Sequence, residues 1–174
     1  MSFPLIVAFA VGIADAAEPS SLRQQVITLL SGIEDPATGV DWAALGAPAG
    51  DELLAIAKDE AALPTQRGNA LVALGYFPSE AARSHLVGLV ASDSADSQLR
   101  RKACYGLATG WGADSVATLS VALGSADVQV RTAAARALGM IGSDAARSAL
   151  ASRLDIETNN SVRDAITRAQ AGQE

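Results

Sequence analysis

A chain of 174 residues is long enough for one domain with a substantial core. Its apolar fraction is 49% with only 4% aromatics, and because Ala and Leu supply most of that fraction, packed helices are favoured over sheets, which lean on Val, Ile, Thr and aromatics. Acids outnumber Lys and Arg by 19 to 13, for a net charge of −6. Apart from Arg100-Arg101-Lys102 the basic residues are scattered singly. That argues against a nucleic-acid partner, which needs a concentrated basic face. One cysteine, Cys104, rules out an intrachain disulfide framework and a cysteine-rich zinc site.

The chain opens on an apolar run, Phe3 to Ala14 (FPLIVAFAVGIA), too short to span a bilayer as a helix. It fits the core of a secretory signal, and Ala14-Asp15-Ala16 supplies small residues for cleavage after Ala16. Residues 1–16 are therefore read as a signal peptide, with a periplasmic or secreted location and no stable membrane span after its removal. No Lys or Arg precedes the run, so a first core helix in a cytoplasmic protein is the other reading. Pro4, Gly12 and the lack of a polar face fit such a helix poorly.

Residues 20–32 (SSLRQQVITLLSG) predict a helix, and 50–62 (GDELLAIAKDEAA) another. The Pro- and Gly-rich stretch between them predicts a loop with a short turn around Trp42. From Thr65 a repeat emerges. Thr65–Ala82 reads TQRGNALVALGYFPSEAA and Gln129–Ala146 reads QVRTAAARALGMIGSDAA. Each carries an Arg followed by Ala, Ala, Leu and Gly at matching offsets, then an apolar pair, a Pro or Gly, a Ser, an acid and two alanines. From Gln98 a looser copy runs QLRRKACYGLATGWGADSVA, and a fourth starts at Ser161-Val162-Arg163. The equivalent arginines, Arg67, Arg100, Arg131 and Arg163, are spaced by 33, 31 and 32 residues. Such a period means stacked supersecondary units.

Each unit reads as two helices. In the clearest copy Asp127 caps the first. Val130, Ala133, Ala134, Ala137 and Leu138 share its inner face, and Gly139 is expected to stop it. Ser143 caps the second helix, with Asp144 in its first turn, and Ala146, Ala149, Leu150 and Leu154 face inward. Ser79 with Glu80, and more weakly Ala113-Asp114, are the equivalent starts. The glycines are expected at the repeat turns.

The phrase VRTAAARALGMIGSDAARSALASRL, residues 130–154, resembles the HEAT-like repeats of the subtype named after phycobilin lyases: Val-Arg, Ala-Ala, Ala-Leu-Gly, a small-residue turn and a Leu-rich second helix. The resemblance extends from Thr65 to Arg168. It implies an all-α fold, a right-handed α-α superhelix in the form of a short HEAT-like solenoid of about three to four helix pairs. The expected repeats are about 20–62 (degenerate), 65–93, 97–125 and 127–157, with a partial copy at 160–172, all within a domain spanning 20–174. The resemblance identifies a stacking unit and no pigment site, so lyase activity does not follow.

For function the expectation is a non-catalytic protein-binding scaffold with no cofactor, exported to the bacterial envelope. A lyase-type enzyme or enzyme-associated subunit, and a structural module stacking in a larger assembly, are the alternatives. The arginine ladder could grip anions, or could bond the loop carbonyls and acids of neighbouring repeats through its fixed donors. The second reading is favoured by the resemblance. Trp111 could be a hot spot, but Phe77 and Ile141 hold matching places, as staples would. Cys104 and His85 are the one pair that could support nucleophilic catalysis, yet Cys104 sits in register with Leu71 and Ala135 and has no third group to orient it. One His and one Cys cannot complete a zinc shell. The candidate protein-binding face is the row on the second helices: Glu80, Arg83 and Ser84, then Asp114 and Thr118, then Asp144, Arg147 and Ser148.

Overall fold

The computed structural model describes residues 21–32 and 40–172. The apolar run at 3–14, its cleavage site, and the Pro36 to Gly39 part of the predicted loop lie outside these residues.

The described residues are helical, joined by short turns. Helix α1 spans Ser21–Leu30, and a 3₁₀ turn at Trp42–Leu45 follows. Helix α2, Pro48–Lys58, begins on a proline at its first position, where no backbone donor is needed. Helix α3, Pro64–Ala73, starts the same way and tightens into a 3₁₀ turn at Leu74–Tyr76. Helix α4, Glu80–Ala91, is capped by Ser79, whose side chain accepts from the Ala82 N–H. Helix α5, Ser97–Trp111, is capped by Asp96. After a 3₁₀ turn at Gly112–Ser115 comes α6, Val116–Ala122, which has no side-chain cap. Asp127 caps α7, Val128–Ile141, by accepting from the Gln129 and Val130 N–H groups. Ser143 caps α8, Asp144–Leu154, and Asn159 caps α9, Asn160–Gln170.

Two layers result. The helices α3, α5, α7 and α9 pack side by side in chain order, with α1 beside α3. Each of α4, α6 and α8 packs behind them and against its neighbour in the second layer, and α2 packs on α1 and α3. The described residues thus form a short solenoid of helix pairs followed by the single helix α9. One continuous core runs through it, from Val26 and Leu30 at the front to Val162 and Ile166 at the back. Trp42 is buried in this core, which makes its 3₁₀ turn a structural plug at the first pair.

Of the inner-face residues expected for the clearest repeat, Val130, Ala133, Ala134, Ala137, Leu138, Ala146 and Leu150 are buried, while Ala149 and Leu154 are half-buried and pack against the core. Helix α7 buries more than one stripe, however, because it has neighbours on three sides. Ala135 and Arg131 are buried as well.

Three expectations change. Helix α7 does not stop at Gly139 but continues to Ile141, and Gly142 takes the left-handed C-cap at φ 60. The termination signal is the glycine that must adopt positive φ, not the first glycine met. Second, the glycines are not confined to turns. Gly68, Gly88 and Gly106 lie inside helices. A Cβ on Gly106 would lie 2.2 Å from the Leu71 carbonyl oxygen, so this glycine sets how closely α5 approaches α3. Third, the adjacent carboxylates Asp51-Glu52 and Asp59-Glu60 read in the sequence as solvated helix surface, but Asp59 caps the end of α2, and Arg23 donates to both Glu52 and Asp59, at 3.2 and 3.3 Å. These acids join α1 to α2 instead of forming a solvated row.

Candidate functional site

The four ladder arginines stand on α3, α5, α7 and α9 and reach back toward the end of the preceding pair. Arg67 Nε donates to the Ala57 carbonyl at 3.5 Å, and Arg100 Nη2 to the Val90 carbonyl at 3.3 Å. Arg131 Nη1 donates to Ser125 and Ala126 carbonyls at 2.8 and 3.0 Å, and Arg163 Nη1 to Leu154 and Glu157 carbonyls at 2.8 Å each. Helix ends leave carbonyls without helical partners, and a guanidinium can serve several at once.

Acids complete two rungs. Asp93 accepts from Arg100 Nη2 at 3.0 Å. Glu157, in the linker between α8 and α9, accepts from Arg131 Nε at 2.9 Å and Nη2 at 3.2 Å, a two-pronged bond. Arg153 adds bonds at 2.9 and 2.6 Å, and the Asn159 N–H one at 2.9 Å. Only 1% of the Glu157 side chain is exposed. Burial alone would raise its pKa, but the bonds from Arg131, the Asn159 N–H and Arg153 outweigh burial and hold it at about 2.

The row on the second helices lies at their N-terminal ends. Glu80, Ser84, Asp114, Asp144, Arg147 and Ser148 are exposed, while Arg83 and Thr118 are half-buried. Arg83 Nη2 donates across pairs to the Asp114 carbonyl at 3.3 Å. Arg147 is turned onto its own helix start, donating to Asp144 at 2.6 Å and to the Gly142 carbonyl. Both arginines are thus engaged within the chain.

Cys104 lies on α5 with no exposed surface, and burial pushes its thiol up to about 12. At neutral pH it stays a thiol, the wrong form for a nucleophile. His85, on α4, has its pKa lowered by burial and then by the charges of Lys58 and Arg67, which places it toward the α2–α3 junction. Its Nε2 is buried without a partner among the described residues. Trp111, Phe77 and Ile141 are partly buried and pack on the core, so they cover the helix joints.

A groove missed in the sequence crosses the outward side of α5, α7 and α9. Its volume is about 320 Å³, and Arg101, Tyr105, Thr132, Arg136, Asp164 and Arg168 line it, with Gln129 and Ser161 at one end. The lining is periodic. Arg101, Thr132 and Asp164 each follow a ladder arginine by one residue, and Tyr105, Arg136 and Arg168 follow by five, so each pair shares a helix face. A smaller cleft of about 220 Å³ continues the row between α3 and α5, lined by Thr65, Asn69, Gln98 and Lys102. Lys102 Nζ donates to Asn69 Oδ1 at 3.2 Å, and Arg101 Nη1 to Gln98 Oε1 at 2.7 Å. The same register that aligned the ladder could have marked this row.

Stacked two-helix units, an arginine ladder and a periodic groove define a helical-repeat protein. The family model of HEAT repeats matches residues 90–171, and over that stretch the chain is similar to HEAT repeats. No curated protein sequence matches it. No helix among the described residues is long and apolar enough to cross a membrane.

Proposed function

We propose that the chain is a non-catalytic protein-binding scaffold whose first-helix groove receives an acidic segment of its partner. HEAT repeats are commonly protein-interaction scaffolds, and solenoids bind along such continuous surfaces. The observation that carries the reading is the charge of the groove. Arg101, Arg136 and Arg168 line it with the single acid Asp164, on a chain whose net charge is −6. An arginine fork suits carboxylates, and a locally positive groove steers an acidic partner.

The check is retention on immobilised poly-glutamate at low ionic strength, with poly-lysine as the control. The chain is expected to be held by poly-glutamate despite its own negative charge, and to elute as salt screens the contact. Reversing the exposed pair (Arg136→Glu with Arg168→Glu) should weaken retention at least about tenfold. Absence of wild-type retention, or equal retention of the reversed variant, rules out the groove.

We further propose export to the cell envelope, on the strength of the apolar run at 3–14 and the small residues Ala14 and Ala16. The mature protein recovered from its source should begin at Ala17. A mature start at Met1 would defeat export and leave the groove reading untouched.

A further inference from the structure

Arg100 and Arg131 hold the same place on α5 and α7, but the linkers that close their pairs differ at one position. Glu157 is the third residue past the end of α8, and its carboxylate returns to the Nε and Nη2 edge of Arg131. The third residue past α6 is Ser125. Both residues accept from the backbone N–H two positions on. Asn159 N–H donates to Glu157 Oε1 at 2.9 Å, and Asp127 N–H to Ser125 Oγ at 3.3 Å. Ser125 is thus the counterpart of Glu157, with a side chain too short to reach the arginine.

The consequence is visible at Arg100. Its side chain is only 7% exposed, and its Nε is buried with no hydrogen-bond partner among the described residues. A buried donor of a charged group left unmatched is costly, and native proteins rarely keep one without use. Arg100 and Ser125 line a pocket of about 170 Å³ whose other walls include Val90, Val121, Ala122 and Asp93. Val121 is 71% exposed at its rim.

We propose that this pocket binds a carboxylate supplied from outside the chain, at the place that the Glu157 carboxylate takes beneath Arg131. The carboxylate accepts from Arg100 Nε, and its hydrocarbon stem lies against Val90, Val121 and Ala122. Asp93 bounds the strength of the site. It accepts from Nη2 at 3.0 Å from a side chain that is 87% exposed, so an incoming acid shares the guanidinium with it. Glu157, by contrast, has Arg153 as a second cation. The site therefore binds weakly unless the rest of a partner adds contacts. The carboxylate can come from a Glu or Asp side chain of a bound protein or from a small free acid. The pocket lies apart from the α5–α7–α9 groove and stands or falls without it.

The test is ¹⁵N NMR of the arginine Nε–Hε signals, with that of Arg100 assigned by its loss in Arg100→Lys. Sodium acetate and a capped Gly-Glu-Gly peptide are titrated, with sodium chloride as the ionic-strength control. The Arg100 signal is expected to move saturably, with a midpoint on the order of 1–10 mM. Ser125→Glu, which supplies the carboxylate internally, should shift that signal without any addition and abolish the titration. A peptide midpoint about tenfold below that of acetate assigns the site to a protein side chain, and equal midpoints assign it to a free acid. An Arg100 signal unmoved by both probes, or moved as much by chloride, means that water serves the Nε and overturns the proposal. The wild-type titration decides this even if Ser125→Glu fails to fold.

Discussion

Replacing Glu157 with glutamine is expected to destabilise the protein by about 3 kcal/mol, in the range for breaking a buried ion pair from one side. The substitution keeps the shape of the side chain but leaves Arg131 with a neutral amide where it had a two-pronged carboxylate. The displacement of the Glu157 pKa from 4.5 to about 2 gives a similar figure. For a chain of this size the loss corresponds to a fall in Tm of roughly 6–12 °C. Glu157 joins α7 to the linker before α9, so the last helix should loosen first, as nearest-neighbour coupling in a solenoid requires. Thermal and urea unfolding followed by circular dichroism measure the effect.

The pH dependence has a definite sign. The folded-state pKa of Glu157 is depressed, so its contribution is fully present above about pH 4.5, the unfolded value. It is lost as pH falls toward about 2, because the unfolded chain takes up the proton first. Wild type and Glu157→Gln should therefore differ fully at pH 6 and converge near pH 2. A difference unchanged across that range would mean that Glu157 acts by packing and not by charge.

Gly106→Ala is the second substitution with a large expected effect, and its direction runs against helix propensity. Alanine in mid-helix should gain about 1 kcal/mol over glycine. At this position the new Cβ would sit 2.2 Å from the Leu71 carbonyl oxygen and 3.3 Å from Leu86 Cδ1. The nearest atom is backbone, which cannot rotate aside, so α5 must move off α3. Overpacking of this kind costs about 1–3 kcal/mol and occasionally more. Here it should outweigh the propensity gain, leaving a net loss of about 2 kcal/mol and a Tm lower by roughly 4–8 °C. Gly88→Ala is the control. It lies in α4 with nothing within 4 Å of its Cβ position, and should stabilise by up to about 1 kcal/mol. If both substitutions stabilise, the close approach of α5 to α3 is not a constraint on the fold.

Much of the fold was legible because its signals are local. A capping aspartate or serine bonds donors two or three residues on, so Asp127, Ser79 and Ser143 could be read in place. Helical spacing put Val130, Ala134 and Leu138 on a buried stripe. The arginine period showed that the units stack. Gly139 misled because an Ala-Leu-Gly phrase reads as a stop, while the backbone takes its left-handed turn three residues later at Gly142.

The features that were not legible depend on neighbours. Nothing near Glu157 in sequence marks it as a buried acid. Its role comes from Arg131, 26 residues earlier, and from the stacking that closes water out between them. Gly106 looks like a flaw in a helix until Leu71 is set against it. The groove needed one position to be compared across α5, α7 and α9, since Arg101, Arg136 and Arg168 sit on three helices and meet only when these pack. The sequence by itself determined that this protein is a helical-repeat solenoid and where α4, α7 and α8 begin, because propensity, capping and periodicity act within a few residues, whereas the start expected at Ala113-Asp114 is a 3₁₀ turn and α6 begins at Val116. Tertiary structure alone decided which charges are buried, which glycine is a contact surface and which arginine Nε has no partner among the described residues, because burial and pairing are properties of two helices and not of one.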